Sequence, residues 1–266
     1  MGDAAIDAEK HFSSSILLWV RPDLPRRVSM DRWRGPHSKI ISATPGFEEY
    51  RQIHLAEKNA GLWPSVTGVE TEIPQDRKID GIAEVTLESI LSPLHGRKQT
   101  KLAYADEVNL FERTILYGGL PGASRWYAVG DGDGEAVVGS RIWIFLRRRA
   151  GVGGHAFRSY VRGELVPAIA ETGLVTELRS QSFMPWNEKL WDTPNVAHDN
   201  PAAVQFHASL DVGFADRAAR DRFLHSDQVT ALAPSLTESV SALHAYDVSE
   251  TLLYITGGEV LAEPIG

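Results

Sequence analysis

The first half of the chain changes hydrophobic period several times. Ser15 to Arg21 is a continuous apolar run closed by Pro22 and Pro25, which predicts a buried strand. A helix is expected from Pro36, because proline suits a first helical turn, and it stops before Pro45-Gly46. Phe47 to Leu55 predicts a second strand, and Trp63 to Asp80 a long connection rich in proline, glycine and charge. Gly81 to Glu88 alternates, with Ala83, Val85 and Leu87 on one face, so it predicts a half-covered strand. A helical stretch from about Ser89 to Phe111, interrupted around Pro93 to Gly96, leads into a strand at Arg113–Tyr117.

The second half gives the same order. Val137 to Leu146 is a strand, Gly154 to Glu171 an amphipathic helix stopped by Gly173, and Leu174 to Phe183 a strand. Val204 to Val212 alternates strictly, Asp216 caps a helix toward Leu224, and Leu243 to Ile255 is a last strand with a break near Ser249. Arg162-Gly163 follows Arg34-Gly35 by 162 − 34 = 128 positions, and Arg179 follows Arg51 by the same 128. One offset found twice points to duplication. The expected fold is therefore α+β: two tandem ferredoxin-like β-α-β-β-α-β repeats whose bare sheet faces press together as a pseudo-dimeric α+β barrel. The divisions are a flexible N-terminus at 1–14, repeat one at 15–130 and repeat two at 135–266, linked through Gly130-Asp-Gly-Asp-Gly134.

Composition narrows the function. The 266 residues are 43% hydrophobic and 23% charged, as in ordinary globular proteins, and are long enough for one large domain or two modest ones. A net charge of −8, with Arg147-Arg148-Arg149 as the longest basic run, argues against a nucleic-acid partner. Without cysteine there is no disulfide, thiolate nucleophile or cysteine-ligated metal. The first apolar run is too short to span a bilayer and no leader-like segment precedes it, so no membrane partner and a cytoplasmic location are expected.

The best candidate for chemistry is His37. Counted from Trp33, positions 33, 37, 40, 41 and 44 share one helical side, so the imidazole points at the core beside Trp33 and Ile40. In a first helical turn, desolvation and the positive helix end both disfavour its cation, and a neutral ring suits a general base. The plainer reading is a histidine bonded to a backbone carbonyl. Arg34 and Arg51 offer guanidinium forks for an oxyanion or ordinary ion pairs. Tyr50, Gln52 and His54 share one strand face, and His244 and Tyr246 another; either set can orient a polar atom or simply pack. An offset of 123 sets Glu84 against His207, as a shared-proton pair or as a buried network registering the halves. Of seven tryptophans, Trp19, Trp33 and Trp143 lie in predicted elements and suit an aromatic ligand or a core. No closely spaced metal-ligand motif is present, so neither metal nor cofactor is expected; haem on His207 or His225 is the alternative.

Trp33-Arg34-Gly35-Pro36-His37, followed by Pro45-Gly46-Phe47 and Tyr50-Arg51-Gln52, resembles the EthD-like family of the dimeric α+β barrel superfamily. Tyr104-Ala-Asp-Glu-Val-Asn-Leu-Phe111 resembles that family's acidic second-helix segment. The likeness covers most of residues 15 to 118, and the second half follows by element order and by Ser226-Asp227-Gln228-Val229. Relatives in the superfamily include cofactor-free monooxygenases, lactone isomerases, polyketide dehydratases and decarboxylases, haem enzymes and proteins without known activity. The resemblance implies a small-molecule pocket near the first helix with His37 as its base. His37, Arg34 and Tyr50 are then the expected catalytic residues, and Trp33, Trp19, Gln52 and His54 the expected pocket. Glu84, His207, His244 and Tyr246 form a secondary candidate. Repeat two offers Glu164 or Leu165 where repeat one has His37. The expected reaction is cofactor-free acid/base chemistry of lyase, decarboxylase or isomerase type on an apolar, aromatic or polyketide-like carbonyl compound. The alternatives are a cofactor-independent monooxygenase and a non-catalytic binding or stress barrel. Tandem fusion allows a monomer, and a homodimer is also compatible.

Overall fold

A computed structural model of the protein describes residues 5–10, 12–89, 97–129 and 138–266. The first half comprises β1 (Ile6–Glu9), β2 (Phe12–Val20), a helix α1, β3 (Phe47–Leu55), β4 (Gly81–Leu87), α2 (Arg97–Glu107), β5 (Phe111–Gly119) and β6 (Ser124–Tyr127). Helix α1 runs through Arg26–Arg32, a π-helical turn Trp33–His37, and Ser38–Ser42. The second half has β7 (Ser140–Arg148), α3, β8 (Val175–Ser182), β9 (Ala208–Phe214) and three short helices, α4 (Arg217–Leu224), α5 (Asp227–Ala231) and α6 (Ala233–Ser239). It ends with β10 (Val240–Thr256) and β11 (Glu259–Ile265). Helix α3 repeats the plan of α1: Gly154–Tyr160, a π-helical turn Val161–Leu165, then Val166–Ala170. Strands β2 and β7, helices α1 and α3, and strands β3 and β8 begin 128 residues apart, the offset carried by the two Arg-Gly pairs.

The fold is α+β, and its strands form one antiparallel sheet in the order β1-β6-β8-β9-β7-β10-β3-β4-β2-β5, with β11 beside β10. Strand β10 joins the halves: Val240–Asp247 pairs with β7 and Val248–Ile255 with β3. The break expected near Ser249 is a register shift there, and β10 continues through it. In the first half the corresponding path is cut into β5 and β6, and β6 pairs with β8 as β10 pairs with β3. This curls the two half-sheets face to face. Leu17, Trp19, Ile53, Ile115, Trp143 and Tyr246 fill the interior, while Ile16, Leu18, Trp33, Val85 and Phe111 pack beneath the helices of the first half. Residues 16 to 19 are thus buried on both faces, which is why their run is continuous and not alternating.

Residues expected to be loose before position 15 contribute β1, which pairs with β6, and the start of β2. They are held because Ser15 Oγ donates to Gln181 Oε1 at 2.6 Å and Gln181 Nε2 donates to Ser13 Oγ at 3.1 Å, across the barrel. The Gly130–Gly134 linker and the helix interruption at Pro93–Gly96 lie outside the described residues.

The pairing expected of Glu84 and His207 does not form. His207 precedes β9, and its Nδ1 accepts from the Arg148 backbone N–H at 3.2 Å, whereas Glu84 accepts from Arg51 Nε at 3.1 Å. The alternation at Val204 to Phe206 belongs to a connection, because Phe206 donates its backbone N–H to the Tyr117 hydroxyl at 3.0 Å. The partner of Glu84 across the barrel is Asp211. Arg51 reaches Asp211 at 3.0 Å, and Arg179, its counterpart 128 residues on, reaches Glu84 at 3.3 Å and Asp211 at 3.9 Å. The network reading of Glu84 therefore holds with different partners, and two symmetry-related arginines sit between two carboxylates where the halves meet.

Gly81 in β4 allows α1 to lie close. A Cβ there would come within 2.4 Å of the Trp33 ring. Gly81→Ala is expected to destabilise the fold by about 1–3 kcal/mol through overpacking, read from urea melts.

Candidate active site

Helix α1 was expected to begin at Pro36, but it begins at Arg26 and carries Pro36 within its π-helical turn. Proline lacks an N–H, and the wider turn leaves carbonyls that need other donors. They are supplied locally: Gln52 Nε2 donates to Trp33 O at 2.9 Å, Tyr254 Oη to Arg34 O at 2.7 Å, and Ser38 Oγ to Arg34 O at 2.6 Å. His37 thus sits in mid-helix, and the argument from a positive helix end does not apply to it.

A carboxylate orients the imidazole instead. His37 is 3% exposed, and its Nδ1 lies 3.0 Å from Asp106 Oδ2 on α2. The bond from His37 above all, with Arg32 adding to it against the opposing effect of burial, lowers the Asp106 carboxyl to about 2. Asp106 is then ionised and can only accept, so Nδ1 carries the proton and a neutral ring has its lone pair on Nε2. Nε2 has no partner among the described residues. Phe111 meets the ring edge-on at 6.1 Å.

His37 borders a cavity of about 270 Å³ between α1, α2 and the outer face of the first half-sheet, near the lower end of the range for small-molecule sites. Its walls are largely apolar, with Ile16, Val85, Phe111 and Leu116 from the strands and Ala103 from α2. Trp33 and Tyr50 also line it. The Tyr50 hydroxyl accepts from Gln52 Nε2 at 2.8 Å, and burial raises its pKa far above the ordinary tyrosine range.

Other sequence candidates lie elsewhere. Arg34 is paired with Glu250 at the surface and does not line the cavity. Trp19 faces the barrel interior. Gln52 is committed to Trp33, Tyr50 and His54, and His54 stacks on Trp33 with ring centroids 4.5 Å apart. His244 bonds Glu70 at 2.8 Å beside a separate cavity of about 150 Å³, while Tyr246 is buried in the interior core.

Burial, helped by the charges of Arg34 and Arg26, lowers His54 to about 3. The unfolded chain protonates this residue near 6.5, so His54 costs stability as pH falls from about 6.5 toward 3. In an NMR titration its ring should stay neutral over that window, and His54→Gln should flatten the fall in stability.

Asp106 and Glu107 both belong to the acidic segment singled out in the sequence, which gave neither a role. Successive helix residues point about 100° apart, so Asp106 faces α1 while Glu107 faces the cavity. Glu107 is 2% exposed. Its Oε2 accepts from Trp191 Nε1 at 3.3 Å and from Thr193 Oγ, both carried by the β8–β9 connection of the second half. That arm had a sequence signal: Leu62-Trp63-Pro64-Ser65 recurs 128 residues later as Leu190-Trp191-Asp192-Thr193. The arms are exchanged. Trp191 caps the first half's cavity, and Trp63 packs into the second half's core against Phe223.

The corresponding place in the second half is filled. Leu165, fully buried, ends the π-helical turn of α3 where His37 ends that of α1; Pro234 and Ser235 stand where Asp106 and Glu107 stand. Among the described residues no cluster of three or more metal-ligating side chains occurs, and no helix is long and apolar enough to cross a membrane.

No family model and no curated protein matches the sequence. Solved structures do match in fold. A protein from Fusobacterium nucleatum assigned as a monooxygenase aligns over 94% of this chain and 96% of its own, with a TM-score of 0.56 at 6% identity. An anthrone oxidase-like protein aligns over 98% and 99%, with 0.56 at 9%. A protein from Lactobacillus acidophilus, also assigned as a monooxygenase, aligns over 95% and 100%, with 0.52 at 11%. The likeness spans the whole chain, and the fold is that of the dimeric α+β barrels.

Proposed function

We propose that the protein is a small-molecule enzyme that removes a proton from an activated carbon beside a carbonyl group in an apolar, aromatic compound. The observation that carries this reading is the Asp106-held imidazole of His37, whose partnerless Nε2 sits at the wall of an apolar cavity. His37 is the base, Asp106 fixes its tautomer and stabilises the imidazolium that forms, and Trp33, Tyr50 and Phe111 enclose the ring. The EthD-like resemblance of residues 33–37 and 104–111 supports the same residues. The step needs no cofactor, and its carbanion is the common start of dehydration, decarboxylation and isomerisation.

The test uses 2-tetralone, a bicyclic ketone with an activated C1–H, in deuterated buffer. Proton NMR should show C1 exchanging faster with protein than without it. Binding without faster exchange would overturn the reading, and a Soret band in purified protein would replace it with haem held by His37.

A second reading follows from the printed names of the structural neighbours, two assigned as monooxygenases and one as anthrone oxidase-like. The same carbanion then reacts with dioxygen to give a hydroperoxide, which loses water to leave a new carbonyl. Oxygen uptake with anthrone as probe, dependent on His37, would favour this outcome over the lyase and isomerase types.

A further inference from the structure

Glu107 is a second polar group in the cavity, and the proton abstraction assigned to His37 leaves it unused. We propose that its undissociated carboxyl group donates a hydrogen bond from Oε1 to the substrate's oxygen, so that the cavity selects aromatic ketones and phenols over hydrocarbons of the same shape. This deepens the proposed function and rests on it only for the proton-removal step.

The geometry has three parts. Glu107 lines the cavity but is 2% exposed, and no arginine or lysine pairs with it among the described residues. A carboxylate buried without a cation is costly, so the group holds its proton. Its Oε2 is occupied by Thr193 Oγ and Trp191 Nε1, whereas Oε1 has no partner among the described residues. The free oxygen is therefore available to a ligand. The charge-bearing groups around it are His37 on α1, His198 on the second half's arm, Tyr50 on β3 and Tyr104 on α2. Burial outweighs the two histidines and the two donors on Oε2, and the Glu107 pKa is raised.

The step then balances without a further reactant. The C–H proton passes to His37 Nε2, and the bonding pair becomes the new C=C bond. The C=O π pair moves to oxygen, which takes the Glu107 proton and gives an enol. Imidazolium and carboxylate remain, and proton exchange with solvent resets both. Trp191 and Thr193 are positioning residues for the acid, presented by the second half to the first. Trp63, in the exchanged arm of the first half, has no such acid to meet, since Ser235 occupies the place of Glu107.

Dissociation constants of 2-tetralone and of tetralin, the same ring system without oxygen, are measured by tryptophan fluorescence on the full-length protein at pH 7. The wild type should prefer the ketone by roughly tenfold, the worth of one neutral hydrogen bond. Glu107→Gln, whose amide still donates, should keep the preference, and Glu107→Leu should bring the two ligands close to parity. Infrared spectra should show a protonated carboxyl band at pH 7 that Glu107→Gln removes. His37→Ala should retain the preference while losing exchange at C1, which separates failure of the base from failure of the acid. A wild type without preference for the ketone, a Glu107→Leu variant that keeps it, or absence of the infrared band would overturn the proposal. Should Glu107→Leu fail to fold, Glu107→Gln and the infrared band decide alone.

Discussion

Replacing His37 by Ala is expected to slow protein-dependent deuterium exchange at C1 of 2-tetralone by about 10²–10⁴-fold, the range that a positioned general base contributes. The loss should appear in the rate and not in the affinity, because the walls that hold the ring remain. His37 is 3% exposed, so the alanine also leaves a hole; thermal melts must accompany the rates, and His37→Gln, closer in volume, should lose exchange to a similar degree. Asp106→Asn should cost less. Its amide oxygen can still accept from Nδ1, but the negative charge that favours the imidazolium is gone, and the amide can also turn its donors toward the ring and reverse the tautomer. Because Asp106 is held at about 2, loss of exchange on mild acidification belongs to the imidazole and not to this carboxylate. A His37→Ala protein that folds, binds 2-tetralone and exchanges C1 at the wild-type rate would remove histidine from the mechanism.

How much of this was legible in the sequence depended on the distance over which each feature is determined. Strands and long helices follow from local period, and the tandem plan from one offset shared by Arg34-Gly35 and Arg51. The inward direction of His37 was readable too. Its setting was not, because Pro36 signals a helix start unless the widened turn around it finds donors, and these donors, Gln52 and Tyr254, are remote in sequence. The register between halves failed for a similar reason. Strict alternation from Val204 suggested that His207 faces Glu84, but the connection consumes residues up to His207 and moves the partner to Asp211. Asp106 and Glu107 look like ordinary solvated acids on a helix. Only the arm that brings Trp191 and Thr193 over from the other half shows why one carboxyl binds the histidine and the other is shut into an apolar cavity. The Leu-Trp repeat that marks this arm was visible, but it falls in connections, where a sequence pattern does not say which half it will cover.

The largest effect on stability is expected at Asp211. It is 2% exposed and meets Arg141 at 2.6 Å and Arg51 at 3.0 Å, with Arg179 at 3.9 Å. Glu84 and Glu177 are the neighbouring counter-charges, so removing Asp211 leaves three buried guanidinium groups with two close carboxylates. Breaking a buried pair in this way costs about 3–5 kcal/mol, because the stranded cation has neither water nor partner. At about 2–4 °C per kcal/mol for a chain of this size, Asp211→Ala should lower the melting temperature by on the order of 10 °C. The pH dependence has a fixed sign. Burial alone would raise the Asp211 pKa, but Arg141, then Arg51 and Arg179, outweigh it and leave the pKa depressed below its ordinary value of 3.8. A depressed carboxyl contributes stability above that ordinary value and loses it as pH falls toward the folded one, so the wild type should weaken steeply in acid and Asp211→Asn should weaken less steeply. Arg51 and Arg179 are related by the duplication, and the cluster lies where the halves meet. Melts at neutral and acid pH therefore test whether buried charge or apolar packing holds the barrel closed. An Asp211→Ala melting temperature within a degree or two of wild type would assign that role to the interior core of Leu17, Ile53, Trp143 and Tyr246 alone.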